Sequence, residues 1–428
     1  MKTTFRCLLA VLVAALAACG GGALPTNQGE LRLVNATSEF AGLDLFADNN
    51  AVVSGVASLA SSGYAGVDAK SHTLDVRATG TSTALVTTST AIGKKELQAV
   101  VAYTNAGTLA DTVLGEEEGD PSNGNAKLRI FNTATASTDA VDVYLVSTAC
   151  ASLATSAAAP FASNLNGLQT AFTQVTASAT PVHVCVTSPG DRTDVRLDIP
   201  SLALSDKRVV TLILVHSAGG VLLHGLVLDQ QGALTQALNT SARVRVAASV
   251  SPAAPVSVEV NGTAVAAGLT TPAVSPYTTV DGGTLTVKVN GTTVKPTTPF
   301  TAAPGADVTL LLTGATPTVT LINDDNTPSS STARPVKIRL VNGVNGSTGT
   351  AALTVDNAPV GTSAAFGTAS TYALVPASAA AARVEARAGV VQLFLATNVT
   401  LSAGRVYTLF LLGDAAMAPN TGTLVADR

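Results

Sequence analysis

The chain has 428 residues, 46% of them apolar and only 12% charged, with a net charge of -4 and a pI near 5.6. That length holds several domains, and the charge balance leaves no basic field to recruit nucleic acid or anionic lipid. Aromatics are 4% and Trp is absent, so the stacking platforms of sugar and single-strand binders are scarce as well.

The first 18 residues read as a cleaved signal peptide. Lys2 and Arg6 give it a positive start, and the apolar run from Cys7 to Ala15 is too short to span a bilayer. Leu16-Ala17-Ala18-Cys19 then resembles a bacterial lipobox, which implies cleavage before Cys19 and acylation of its thiol. Two or three acyl chains anchor stably where one does not. Gly20 stands where an inner-membrane retention Asp would be expected, so the resemblance implies the outer membrane, on its periplasmic or its exposed side. Residues 19–29 form a tether of Gly, Pro and polar residues that reaches at most ~35 Å when extended.

After the tether a pattern of landmarks occurs four times. It opens with Leu31-Arg-Leu-Val-Asn35, Leu128-Arg-Ile-Phe-Asn132, Val244-Arg-Val-Ala-Ala248 and Ile338-Arg-Leu-Val-Asn342. A second alternating segment follows each copy, then an aromatic (Tyr64, Phe172, Tyr277, Tyr372) three residues before a Val. Next come Leu74-Asp-Val-Arg77 and its counterparts, an apolar penultimate segment such as Val406-Tyr-Thr-Leu-Phe-Leu-Leu412, a Gly turn and a final strand. Alternation with period two is the mark of a strand with one buried face, and four copies in one order identify a repeat. Asn261-Gly262 and Asn290-Gly291 predict hairpins, because Asn and Gly accept the positive φ of a type I′ turn.

These elements predict an all-β chain of four tandem antiparallel β-sandwich, immunoglobulin-like repeats at 30–118, 126–231, 242–326 and 335–428. Two larger β domains, each built from a repeat pair, are the alternative. Acidic and Pro/Ser-rich segments at 116–124 and 323–331 read as solvated linkers, whereas 232–241 is less polar and suits a packed join. The second repeat carries an insertion at 147–169.

The opening strand ending in Asn, the Leu-x-Val-Arg strand and the Tyr-Thr-Leu strand before a Gly turn resemble the bacterial domain of unknown function 4397. The resemblance covers nearly all of the mature chain, is clearest in repeats one and four, and is weakened in repeat three by Ala248 at the Asn position. It implies tandem domains on a lipid-anchored or wall-attached protein, and it brings no catalytic residue.

No catalytic or cofactor-binding motif is present, and no metal set is complete. His216 and His224 flank a turn without a Cys, Asp or Glu cluster beside them, and His183-x-Cys185 lacks a base–nucleophile partner. Arg32, Arg129, Arg245 and Arg339 read as outward-facing strand residues that block edge pairing or meet a cross-strand carboxylate. The four recurring aromatics read as core or sheet-corner residues. Glu116, Glu117, Glu118, Asp120, Asp324 and Asp325 read as solvated charge.

The expected function is that of a non-enzymatic, lipid-anchored envelope protein, held to the membrane through Cys19. It would serve as a spacer or as a binding surface for a protein or polymer, without nucleic acid. A calcium-stiffened adhesive stalk and an envelope hydrolase using the repeat-two insertion are the alternatives. Cys7 leaves with the signal and Cys19 is acylated, so Cys150 and Cys185 are the remaining thiols, and export to an oxidising compartment predicts a disulfide between them.

Overall fold

A computed structural model describes residues 27–428 apart from 106–107, 135–139, 168, 330–332, 348 and 418–421. The signal peptide, Cys19, most of the tether and the tip of the hairpin at 105–107 lie outside the described residues. The chain is all-β. Its helical elements among the described residues are two 3₁₀ turns, Cys150–Thr155 and Ala415–Met417.

Each repeat is a sandwich of two main sheets, and repeat three adds a two-stranded pair, Gly283–Thr284 with Thr301–Ala302. In the first, the opening strand Gln28–Ala36 lies parallel to the penultimate strand Leu97–Asn105, which pairs antiparallel with Thr108–Gly115. The facing sheet runs Asn50–Ala57, Gly42–Ala47, Ser71–Ala78, Ala84–Ala91, all antiparallel. The other repeats use the same plan, with one parallel opening–penultimate pair each and antiparallel pairing elsewhere. The two-residue turns form as the sequence indicates. Asn261 and Gly262 have φ of 50° and 84°, and Asn290 and Gly291 have 48° and 77°. Asp48-Asn49 and Asp356-Asn357 close the same hairpin in repeats one and four, also with positive φ.

Alternating residues fill four separate cores, for example Leu31, Leu33, Leu43, Leu45, Leu74 and Val76 in repeat one. The motif Asn ties the two sheets of a repeat together. Asn35 Nδ2 donates to the carbonyls of Phe40 and Val56, Asn132 to Leu165, and Asn342 to Ala364.

One expectation from the alternation is overturned. The opening strands are buried on both faces, and every residue of Val336–Asn345 is buried. The reason is a second set of cores between repeats. Val34, Val101 and Leu114 of repeat one pack on Phe131, Ile213 and Leu226 of repeat two, and Ala247, Leu311 and Ile322 of repeat three on Val341, Phe410 and Leu412 of repeat four. Tyr103 and Phe131 meet edge to face across the first of these, with ring centroids 5.6 Å apart. The sandwiches thus associate as pairs, one–two and three–four, through their opening-strand sheets.

The middle join is packed too. Leu234–Ala237 adds a strand to repeat two beyond residue 231, and the turn after His216 presses on repeat three. Gly219 N donates to Gly305 O at 3.0 Å, and a Cβ on Gly219 would lie 2.5 Å from the Asp307 nitrogen. Side chains larger than hydrogen do not fit there.

Candidate functional site

The four recurring arginines sit at one register position, opposite Ala99, Thr211, Thr309 and Thr408 of the penultimate strands. Period two aims them away from their own core, and that face is where the neighbouring repeat docks. Arg32, Arg245 and Arg339 are therefore about 2% exposed instead of facing solvent. The recurring aromatics cover them. Arg32 lies over Tyr64 at 4.8 Å from the ring centroid, Arg129 over Phe172 at 4.3 Å, Arg245 over Tyr277 at 4.5 Å and Arg339 over Tyr372 at 4.5 Å. These rings are thus neither simple core nor corner residues. They shield cations at the joint between repeats.

In the three–four pair the contacts are reciprocal. Arg339 reaches Asp324 of repeat three, and Arg245 reaches Asp427 of repeat four. Thr309 holds Asp324 at 2.6 Å and Thr408 holds Asp427 at 2.5 Å, each within its own repeat. The Tyr277 hydroxyl adds a 2.6 Å bond to Asp324. Burial opposes the charge of Arg245, but Tyr277, Asp427 and Asp324 outweigh it and raise its pKa. Burial, reinforced by Asp324, pushes the Tyr277 hydroxyl well up, so it stays protonated and donates. Such an arrangement approximates a two-fold axis between unlike repeats.

The one–two pair uses a variant. Arg32 binds Glu116 of its own repeat and crosses to the carbonyls of Gly232 and Asp229, at 2.5 and 3.0 Å. Repeat two places Gln230 where the others have a carboxylate, and Gln230 exchanges two bonds with the Glu118 backbone, at 2.9 and 2.8 Å. Arg129 is left with the Thr211 hydroxyl, and burial lowers its pKa to about 10.

Hence the acidic segments are not uniformly solvated. Glu116 and Asp324 are buried, because each neutralises an arginine inside a repeat joint. Glu117, Asp120 and Asp325 do remain exposed. The recurrence of Glu116, Asp324 and Asp427 at the end of the last strand of three repeats was a sequence signal for this contact, readable only once the repeats are known to pair.

Cys150 and Cys185 are joined by a disulfide, with Cα atoms 5.5 Å apart. It roots the start of the insertion, and Arg192 Nη2 donates to Ala158 O at 2.9 Å farther along it. Cys150, His183 and Asp198 come within 4.8 Å of one another, but the bonded sulfur has no thiolate to offer a metal. His216 and His224 lie on adjacent antiparallel strands one register step apart, and so on opposite faces. His224 Nδ1 accepts from Asn239 N at 3.0 Å, and burial lowers His216 to a pKa of about 4. The structure does not bring the two histidines together. Cys19, the lipidation residue, lies outside the described residues.

Between repeats two and three lies a cleft of about 660 Å³. Thr193, Asp194 and Asp198 line one wall, Tyr277, Thr278 and Thr279 the other, and Asn239 and Arg243 the floor. Arg243 is held by Asp307 through bonds of 2.8 and 2.5 Å, and Asn326 Nδ2 completes the carboxylate at 2.7 Å.

Two solved structures illustrate how remote the known neighbours are. The Bacillus anthracis TIE protein is 8% identical, with 67% of this chain and 51% of that one covered and a TM-score of 0.14. The product complex of the multi-modular glycogen-degrading pneumococcal virulence factor SpuA is 10% identical, with 86% and 38% covered and a TM-score of 0.17. At those scores neither likeness carries an argument about this chain, which spans about half of the first and less of the second. No curated protein matches. A family model does match, at residues 29–144 and 242–344; it takes in repeat three despite Ala248, and of repeat four, where the resemblance was expected to be clearest along with repeat one, only the opening strand. Those residues make up about half of the chain, which belongs to the family described as Domain of unknown function (DUF4397).

Proposed function

We propose that the protein is a non-enzymatic, lipid-anchored component of a bacterial outer membrane, in which four sandwiches form a stiff scaffold that spaces or presents a binding surface. The observation that carries this reading is where the buried ionisable groups go. Arg32, Arg245 and Arg339, with Glu116, Asp324 and Asp427, bind one another across or beside repeat joints rather than converging on a cleft. Catalytic sites gather buried ionisable groups around bound substrate, whereas here they fix neighbouring modules in register. The calcium-stiffened stalk is less favoured, since both oxygens of Asp324 already serve Arg339, Thr309 and Tyr277. The hydrolase is less favoured because the insertion is tied down by the disulfide and Arg192.

Membrane attachment would come from acylated Cys19. Metabolic labelling with a fatty-acid analogue should tag the protein, and Cys19→Ser should abolish the tag and release or stall the precursor. A serine variant that stays labelled and membrane-bound would place the anchor elsewhere.

A further inference from the structure

We infer that the cleft between repeats two and three takes an extended cationic polypeptide segment, added as a strand along the edge Asp191–Leu202. The inference rests on the scaffold reading above and names the class of partner for one of its surfaces.

The argument begins with what lines the cleft. Asp191–Leu202 is the outer strand of its sheet, and Thr278–Asp281 pairs on one side only, with Ser241–Ser249. Side chains of a strand alternate between faces, so a strand presenting a face lines a cavity with every second residue. Here consecutive residues line it: 193, 194 and 195, then 197 and 198, and on the far wall 278 and 279, with Tyr277 just before that strand. Both walls therefore present strand edges, where main-chain donors and acceptors point outward. Two edge groups are already satisfied within the chain, since Asn239 Nδ2 donates to the Arg196 carbonyl at 2.8 Å and Thr193 N to Asp191 Oδ1 at 2.9 Å, so an incoming strand would pair with the other main-chain groups of this edge. Strand addition satisfies such a row with an incoming backbone. The volume falls within the roughly 300–1,000 Å³ of ordinary ligand sites.

Charge selects the occupant. Asp194 and Asp198 are 40% and 42% exposed on this edge, and their contacts to Arg196 and His183 are long, at 3.4 and 3.5 Å. Arg243, on the floor, is already neutralised by Asp307. A strand carrying Lys or Arg at positions four apart would match the two carboxylates, and an acidic strand would be repelled. The rival explanation is that these charges only guard the edge against pairing.

The test uses the full mature chain and short synthetic peptides of Thr and Val carrying two lysines four positions apart, followed by fluorescence anisotropy. The expected result is saturable binding. It should weaken at least tenfold when Glu replaces Lys, when alternate peptide amides are N-methylated, and in the Asp194→Asn, Asp198→Asn double variant, whose folding is checked by its melting curve. No saturation up to millimolar peptide would overturn the inference and favour edge protection. Equal binding of the N-methylated peptide would also overturn it, leaving charge attraction without strand pairing. Either failure, with Cys19-dependent labelling intact, leaves the scaffold reading standing.

Discussion

Arg339 shows how much one side chain does in this molecule. It is buried, stacked on Tyr372 and bound both to Asp324 and, at 2.9 Å, to the Asn323 carbonyl of the preceding repeat. A buried ion pair is weak evidence of net stability, but removing one partner strands the other in low dielectric at a cost of about 3–5 kcal/mol. Arg339→Ala leaves Asp324 with the longer, 3.5 Å contact to Arg245 and should destabilise the chain by up to that order in urea unfolding; a loss under about 1 kcal/mol would mean that the joint is hydrated or that Arg245 takes over the carboxylate. His216 gives a pH signature. Its folded pKa is about 4 against an ordinary 6.5, so the unfolded chain binds the proton first. Its contribution is complete above pH 6.5 and drains as pH falls toward 4, by about 3 kcal/mol. Melting temperatures across that window should fall, and His216→Gln should flatten the slope. Neither role was legible from the residues alone. The recurrence of Arg32, Arg129, Arg245 and Arg339 was plain, yet outward from one's own core looks like solvent until the partner repeat is known.

At the scale of elements, local chemistry was the most legible part. Asn-Gly turns and the succession of strands along a repeat follow from short-range rules of conformation, and the Cys150–Cys185 bond from the thiols that remain; the parallel pairing of opening and penultimate strands, where an antiparallel sandwich was expected, joins residues too far apart to be read locally. Double burial of the opening strands was less visible, because Leu31-Arg-Leu-Val-Asn35 has the polar–apolar alternation of a half-exposed strand. On the outer face the charged pair Glu30 and Arg32, two positions apart, precedes the apolar Val34 and Ala36, and those charges disguised it. The disulfide closes a loop of 35 residues, worth about 3–4 kcal/mol in the chain-entropy model. Cys150→Ser with Cys185→Ser should lose roughly that much and expose the insertion to protease before the rest of repeat two. Unchanged stability would show that Tyr144 and Leu153, which surround the bond, hold the insertion by packing alone.

For the whole molecule, the repeat count and the family were readable, and association in pairs was one of two arrangements the sequence left open; the contacts that make the pairs were not readable. Pairing depends on contacts at very different separations, 15 positions for Arg339 with Asp324, 182 for Arg245 with Asp427 and 200 for Arg32 with Gly232, and no single local pattern reports them. Apolar faces such as Ala247, Leu311 and Ile322 are covered only because repeat four is present, so the pair rather than the sandwich is the cooperative unit. Packing of Gly219 and Gly220 against Gly305, Asp307 and Thr327 then links the pairs end to end. Hydrogen–deuterium exchange of the full chain carrying Arg339→Ala tests this most directly. The account predicts that amides of Ser241–Ser249 and Val336–Asn345 lose protection together, while Gln28–Ala36 and Asn125–Asn132 keep theirs. Loss confined to Val336–Asn345, with Ser241–Ser249 as protected as before, would contradict it.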